Sequence, residues 1–341
     1  MSPSLLFDIG HPAHFHLFKN FMKYLKGRNI NFVITSREKE MTNILLEHEG
    51  FEFISLSKPG KSLFLMGAEL IKRDWHLIRL NRKHKFTHAF GTSVSIAHLT
   101  ALSKVISYNF SEDDDGVIPL QSVITYPFTS KVINPECIKY DKWKLKRILV
   151  PSYHELAYLH PENFRPDKEI LNKYGLKEKE YIILRLSALK AHHDVGMKGI
   201  SPVLVHKIMN ELSDFKVIES SELKKTYQVE PWDMHHLLAF SKMLISDSQT
   251  MTIEAAVLGI PSLRINTFIG KSTVIDELEK KYKLTFGFIP SEEDRIISTL
   301  KDLVANPEID SQWQKKRLKM LDQKVDFNQW MINFFESEIN V

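Results

Sequence analysis

Short apolar runs alternate with helical repeats along most of this chain. In the first half, runs at 5–9, 31–35, 51–56, 88–91 and 105–109 read as strands, and periodic segments at 14–27, 38–49, 63–83 and 94–102 read as helices between them. Further strands are predicted at 131–133 and 147–150. The chain then turns polar through Pro161 and Pro166, and residues 161–180 read as a linker. The second half repeats the alternation, with strands at 181–186, 215–219, 243–246, 262–265 and 284–286. Its helices are predicted at 202–212, 232–240, 250–258, 273–282, 292–305 and 311–335. Strands buried on both faces read as continuous apolar runs, and strand–helix alternation feeds parallel pairs through crossovers. The pattern therefore predicts an α/β protein of two parallel-sheet domains, 1–160 and 181–310, with the last segment, 311–341, packing back on the first. Ligands of such folds bind at the carboxyl ends of the strands, so a cleft lined by both sheets is where function is expected.

Composition narrows the class. Of 341 residues, 43% are hydrophobic and 26% charged, which excludes a disordered chain. No apolar run approaches the roughly 18 to 20 residues that cross a bilayer, and the opening Met-Ser-Pro-Ser lacks the basic start of a signal peptide. One cysteine, Cys137, makes no internal disulfide. A cytoplasmic location is the expectation. A net charge of +4 does not point to nucleic acid, but the cations are clustered. Lys72, Arg73, Arg79, Arg82, Lys83 and Lys85 crowd one predicted helix that also carries Phe64, Leu65, Leu70 and Trp75. That helix fits either a solvated face or peripheral contact with an anionic membrane. Lys142, Lys144, Lys146 and Arg147 form a second basic group.

Candidate chemistry gathers where strands end. The first strand runs into Gly10-His11-Pro12-Ala13-His14-Phe15-His16. Gly10 permits close backbone approach and Pro12 is a natural helix start, so His11 and His14 belong at the helix N-terminus. A histidine there can take a proton from an attacking hydroxyl near neutral pH; a structural role or a metal are the alternatives. No Cys or second acidic ligand stands at a recognisable metal spacing, so no metal and no cofactor are predicted. Glu112-Asp113-Asp114-Asp115 follows the strand at 105–109, and Asp113 is the reserve base; a cation site or a solvated turn fits equally.

In the second half, Ser246 to Thr250 reads as a tight turn between strand and helix, with Gly259-Ile260-Pro261 as the break beyond. A helix N-terminus presents unpaired N–H groups and a positive dipole end, which suit a phosphate; a plain Ser-capped turn is the alternative. Glu254, about a turn in, can accept from a ribose diol. Arg185, Lys190, His192 and His193, at the exit of the strand at 181–186, can neutralise a diphosphate leaving group. No Gly-x-Gly-x-x-Gly, Walker or Gly-x-Ser-x-Gly motif is present, which removes support for dehydrogenase, P-loop and α/β-hydrolase readings.

Together, the blocks at 8–16, 35–40, 153–161, 191–196 and 247–261 resemble a glycosyltransferase-like family of archaea and bacteria whose function is unknown, over about residues 5–300. That family is similar to the GT-B superfamily, including MurG-like glycosyltransferases and the UDP-N-acetylglucosamine 2-epimerases. The resemblance implies a GT-B fold with the nucleotide sugar on the C-terminal domain. By it, Ser248, Gln249 and Thr250 would meet the phosphates, Glu254 the ribose, and the loop 229–231, ending in Pro231, the base. Relatives tend to carry glycines where this chain has Gln249 and Thr250. MurG-like enzymes resemble this chain in a histidine on the first strand–helix loop, whereas epimerases share a Gly-Asp-Thr turn in place of Gly91-Thr92-Ser93. The resemblance thus favours a metal-independent glycosyltransferase in surface polysaccharide or glycolipid synthesis, using a UDP-sugar and a glycan or lipid-linked acceptor. A 2-epimerase-like isomerase and a non-catalytic nucleotide-sugar-binding protein are the alternatives.

Overall fold

The predicted apolar runs become the central strands of two sheets. The computed structural model describes residues 3–38, 40–58, 60, 62–187, 198–221 and 226–339. Contacts divide the chain into one unit of Met1–Tyr158 with Asp326–Val341 and a second of Leu159–Val325.

In the first unit, β1 (Leu5–Ile9), β2 (Phe32–Arg37), β3 (Ile54–Ser57), β4 (His88–Gly91), β5 (Ile106–Phe110), β6 (Lys131–Pro135) and β7 (Arg147–Val150) form one sheet. Their order is β3-β2-β1-β4-β5-β6-β7, and every pair is parallel. The connecting helices are α1 (Pro12–Gly27), α2 (Glu40–His48), α3 (Leu63–His84), α4 (Val94–Ala101) and α5 (Pro119–Thr125). Neighbouring strand residues face opposite ways, and both faces of β1 are used. Phe7 meets Phe18 and Phe21 of α1, while Leu6 joins Leu77 of α3 and Ile96 and Leu99 of α4.

The short helix α6 (Leu156–Leu159) spans the boundary, and the second unit takes up α7 (Glu169–Lys173). Residues 161–180, expected as a linker, are folded onto this unit. Leu171 is buried, and Lys173 and the Tyr174 hydroxyl both reach Asp233, at 2.6 and 2.7 Å. The alternation then runs β8 (Tyr181–Leu186), α8 (Pro202–Glu211), β9 (Lys216–Ser221), β10 (Thr226–Tyr227), α9 (Met234–Phe240), β11 (Met243–Ser246), α10 (Gln249–Leu258) and β12 (Ser262–Ile265). It closes with α11 (Thr273–Asp276), β13 (Thr285–Phe288), α12 (Glu293–Ala305) and α13 (Ile309–Gln323). Strand order is β10-β9-β8-β11-β12-β13; only β10, which the sequence pattern did not predict, is antiparallel.

The single terminal helix predicted at 311–335 is two helices, α13 and α14 (Phe327–Ile339). The break has two local causes. Lys324 turns extended, with φ −120° and ψ 144°, and buries its ammonium against Glu277 at 3.0 Å. Asp326 then starts α14 by accepting from the N–H groups of Asn328 and Gln329, at 2.9 and 3.1 Å. The halves belong to different units: Phe335 of α14 packs edge-on against Phe21 of α1, whereas Trp313 of α13 donates to the Leu284 carbonyl.

Candidate functional site

In each sheet the first strand lies between strands reached by connections running in opposite directions, which opens a crevice at its carboxyl end. In the first unit that place falls between β1 and β4. Asp8, fully buried near the end of β1, accepts from Arg73 Nη2 at 2.5 and 2.7 Å, from Ser93 Oγ at 2.5 Å and from Thr35 Oγ1 at 2.7 Å. Burial alone would raise its pKa, but the Arg73 guanidinium and the two hydroxyls outweigh it and hold the carboxyl below its usual range. Gly91 of β4 is required here, since a Cβ would sit 2.8 Å from the Asp8 carbonyl oxygen. Gly10 is not so confined: a Cβ there would meet only the His14 ring, at 3.8 Å.

Above this floor stand the two histidines. His11 is the N-cap of α1, and its Nδ1 accepts from the Ala13 N–H at 3.2 Å, so one ring nitrogen serves the helix end. His14 lies in the first turn with the Thr92 hydroxyl 2.9 Å from Nδ1 and 3.1 Å from Nε2, and the two rings are 5.7 Å apart.

The acidic run after β5 divides by role. Asp114 is buried and accepts from the Lys139 N–H at 2.6 Å, and Asp115 pairs with Arg147 through contacts of 2.6 and 2.7 Å. Both carboxylates are occupied in holding the 139–147 segment, which accounts for their position without a cation. Arg147 is correspondingly buried, not part of an exposed basic group. Asp113 is half-buried beside Glu112. Glu112 accepts from the His154 N–H at 2.5 Å, and its other oxygen is 3.5 Å from His154 Nδ1. Burial, with Asp113 adding to it, pushes the Glu112 carboxyl up to about 8 against the opposing hydrogen bonds of His154 and Glu155. Burial, with His14 adding to it, lowers His154 to about 3. Burial thus favours the uncharged form of both groups. Among the described residues, no group of three or more His, Cys, Asp or Glu could hold a metal ion.

The raised Glu112 pKa fixes a sign. Between the unfolded value of about 4.5 and the folded value of about 8 the native state binds the extra proton, so stability falls as pH rises through that window. Glu112→Gln is expected to flatten this fall, read as melting temperature against pH; an unchanged slope refutes the assignment.

In the second unit the equivalent place lies between β8 and β11. Ser248 is the N-cap of α10 and accepts from the Met251 N–H at 3.4 Å; its own N–H donates to Ser246 Oγ at 2.8 Å. Gln249 and Thr250 open the helix, half-buried, where N–H groups have no intrahelical partner. Gly259 ends it in the left-handed region, φ +73°. Asp247, buried, accepts from the Ser187 N–H and hydroxyl at 2.6 and 2.8 Å, tying the ends of β11 and β8 together. Arg185 leaves β8 on the same crest and donates to Ser220 at 2.8 Å. Glu254 is buried and 2.9 Å from His235 Nε2 of α9, a partner the sequence reading did not assign. Pro231 is half-buried just before α9, in a turn closed by the Asp233 N–H to the Glu230 carbonyl at 3.0 Å. Lys190, His192 and His193 lie outside the described residues.

The sequence pattern offered Glu112 only as part of the acidic run from which Asp113 was singled out, and gave His154 and Glu155 no role although the block at 153–161 stood out as a motif. Only the tertiary fold brings its backbone N–H to the acidic run.

A family model described as a protein of unknown function (DUF354) matches residues 4–332. An uncharacterised protein of Methanocaldococcus jannaschii is 26% identical over 277 residues, 75% of this chain and 80% of its own. Among solved structures, the UDP-GlcNAc 2-epimerase from Neisseria meningitidis bound to UDP-GlcNAc is similar with a TM-score of 0.73 at 14% identity, over 99% of this chain and 100% of that one. A glycosyltransferase from Rickettsia africae gives 0.60 at 12% identity, over 98% of each chain. These likenesses show the fold: α/β of the GT-B type, built on two Rossmann-like sheets.

Proposed function

The chain belongs to the DUF354 family, and on that premise we propose that it is a glycosyltransferase moving a sugar from a nucleotide-linked donor to a glycan or lipid-linked acceptor. The observation that carries the donor half is the start of α10 on the β8–β11 crest, with Arg185 beside it. A diphosphate there would take the Gln249 and Thr250 N–H groups and the positive end of the helix, and Arg185 would balance the charge that develops as the sugar bond breaks. Glu254, oriented by His235, would receive the ribose diol, and the turn at Pro231 would border the base. Because the Neisseria meningitidis protein is bound to UDP-GlcNAc, a UDP-sugar is the first donor to try. His14, oriented by Thr92, would take the proton of the acceptor hydroxyl in the cytoplasm, with His11 or Asp113 in reserve.

The test is thermal. At a ligand concentration of about 100 times Kd, binding to the folded state adds about 2.7 kcal/mol, so one of the UDP-, GDP-, CMP- or dTDP-sugars is expected to raise the melting temperature. Arg185→Met is expected to weaken that ligand by about tenfold or more, the scale of one charge-assisted hydrogen bond. Failure of all four donors refutes the proposal.

One observation favours a second reading. A 2-epimerase-like isomerase needs a group that exchanges a proton with carbon, and Glu112, with its pKa near 8, is suited to that. Solvent deuterium entering the sugar of a donor incubated without acceptor supports this reading; an inert donor supports transfer.

A further inference from the structure

The basic helix expected from the sequence is α3, but its cations do not all face water. Arg73 is buried against Asp8, and Leu77 is in the core. What remains outside is a single stripe. Phe64, Ile71 and Trp75 are 84%, 72% and 55% exposed, at a spacing that keeps them on one helical face. Lys72 flanks that stripe beside Ile71, and Arg79 and Arg82 continue it toward the C-terminal end, with the Arg79 guanidinium 5.5 Å over the Trp75 ring. From Phe64 to Arg82 it runs about 27 Å. The two acids of the helix are turned away: Glu69 is buried against Arg37 at 2.6 Å, and Asp74 binds His98 at 2.7 Å.

We propose that this face of α3 docks the first unit on an anionic lipid surface. An interfacial helix buries an apolar stripe about 5–10 Å into the headgroup boundary while cations hold anionic headgroups. Phe64, Ile71 and Trp75 supply the first part, and Lys72, Arg79 and Arg82 the second. A second copy of the chain fits less well, because a symmetric pairing of this face would bury Lys72, Arg79 and Arg82 of both copies with no carboxylate of the helix turned to answer them. Nucleic acid would satisfy the cations and leave Phe64 and Ile71 in water.

Co-sedimentation of the full chain with vesicles tests the proposal. Binding is expected to an equimolar mixture of phosphatidylcholine and phosphatidylglycerol and not to phosphatidylcholine alone. The variant Lys72→Gln/Arg79→Gln/Arg82→Gln is expected to lose about 100-fold in partitioning, and Phe64→Ser/Ile71→Ser/Trp75→Ser about tenfold or more, with melting temperatures unchanged because all six side chains are exposed. Failure to bind the mixed vesicles overturns the proposal. So does full binding by the apolar triple variant, which would leave only charge adsorption. A dimer in solution that the same variant dissociates would assign the face to a second copy instead.

Discussion

Replacing Arg73 with leucine is expected to remove about 3–5 kcal/mol of folding stability, the cost of leaving a buried carboxylate without its cation. For a unit of this size the melting temperature drops by about 6–20 °C. Asp8 gives the prediction a pH signature. In the native protein its pKa is lowered, so its contribution is present above the unfolded value near 3.8 and lost only as pH falls through the folded value. Without Arg73 the burial remains, the pKa rises above the unfolded value, and the ionised form becomes a liability as pH increases. The gap between variant and wild type should therefore narrow as pH falls from about 7 to about 5. Asp8→Asn/Arg73→Leu, which removes both charges, should cost less than Arg73→Leu alone. A loss below about 1 kcal/mol, or a gap independent of pH, would show that the pair does not hold β1, β4 and α3 together.

His14→Ala is the second large effect, on turnover and not on stability. A positioned general base contributes about 10²–10⁴-fold, and a loss in that range is expected with a donor that raises the melting temperature. The donor-induced shift itself should persist, because the proposed phosphate seat lies in the other unit. Thr92→Val should fall between, since the hydroxyl 2.9 Å from the imidazole only orients it. Retained turnover in His14→Ala would sink the assignment. Loss in Glu112→Gln with turnover spared in His14→Ala would move the chemistry to the isomerase.

Much of the fold was legible because the information is local. Parallel strands such as Leu5–Ile9 and Met243–Ser246 are buried throughout, so they appear as bare apolar runs. The start and end of α10 are written in Ser248 and Gly259, which satisfy or permit what a helix terminus requires. The two-residue β10 and the seven-residue α5 escaped because such short segments carry too little periodicity to register. The break between α13 and α14 escaped for another reason: Lys324 is drawn from the helix by Glu277, far away in the chain.

The candidate site divides along the same line. By itself, the sequence determined which residue types stand at strand ends: His11 and His14 after β1, the acids after β5, Ser248 to Thr250 after β11. Tertiary structure decided which of them have perturbed chemistry and which are spent on structure. Arg73 reads as one cation among several and is instead the buried partner of Asp8, while Asp114 and Asp115 are consumed by Lys139 and Arg147. Glu112 looks like its neighbours until the His154 backbone, 42 positions away, closes over it. Caps and strand runs depend on neighbours in sequence, whereas the charge state of a carboxyl depends on burial and on charges within a few ångströms, and those are set only when distant segments meet.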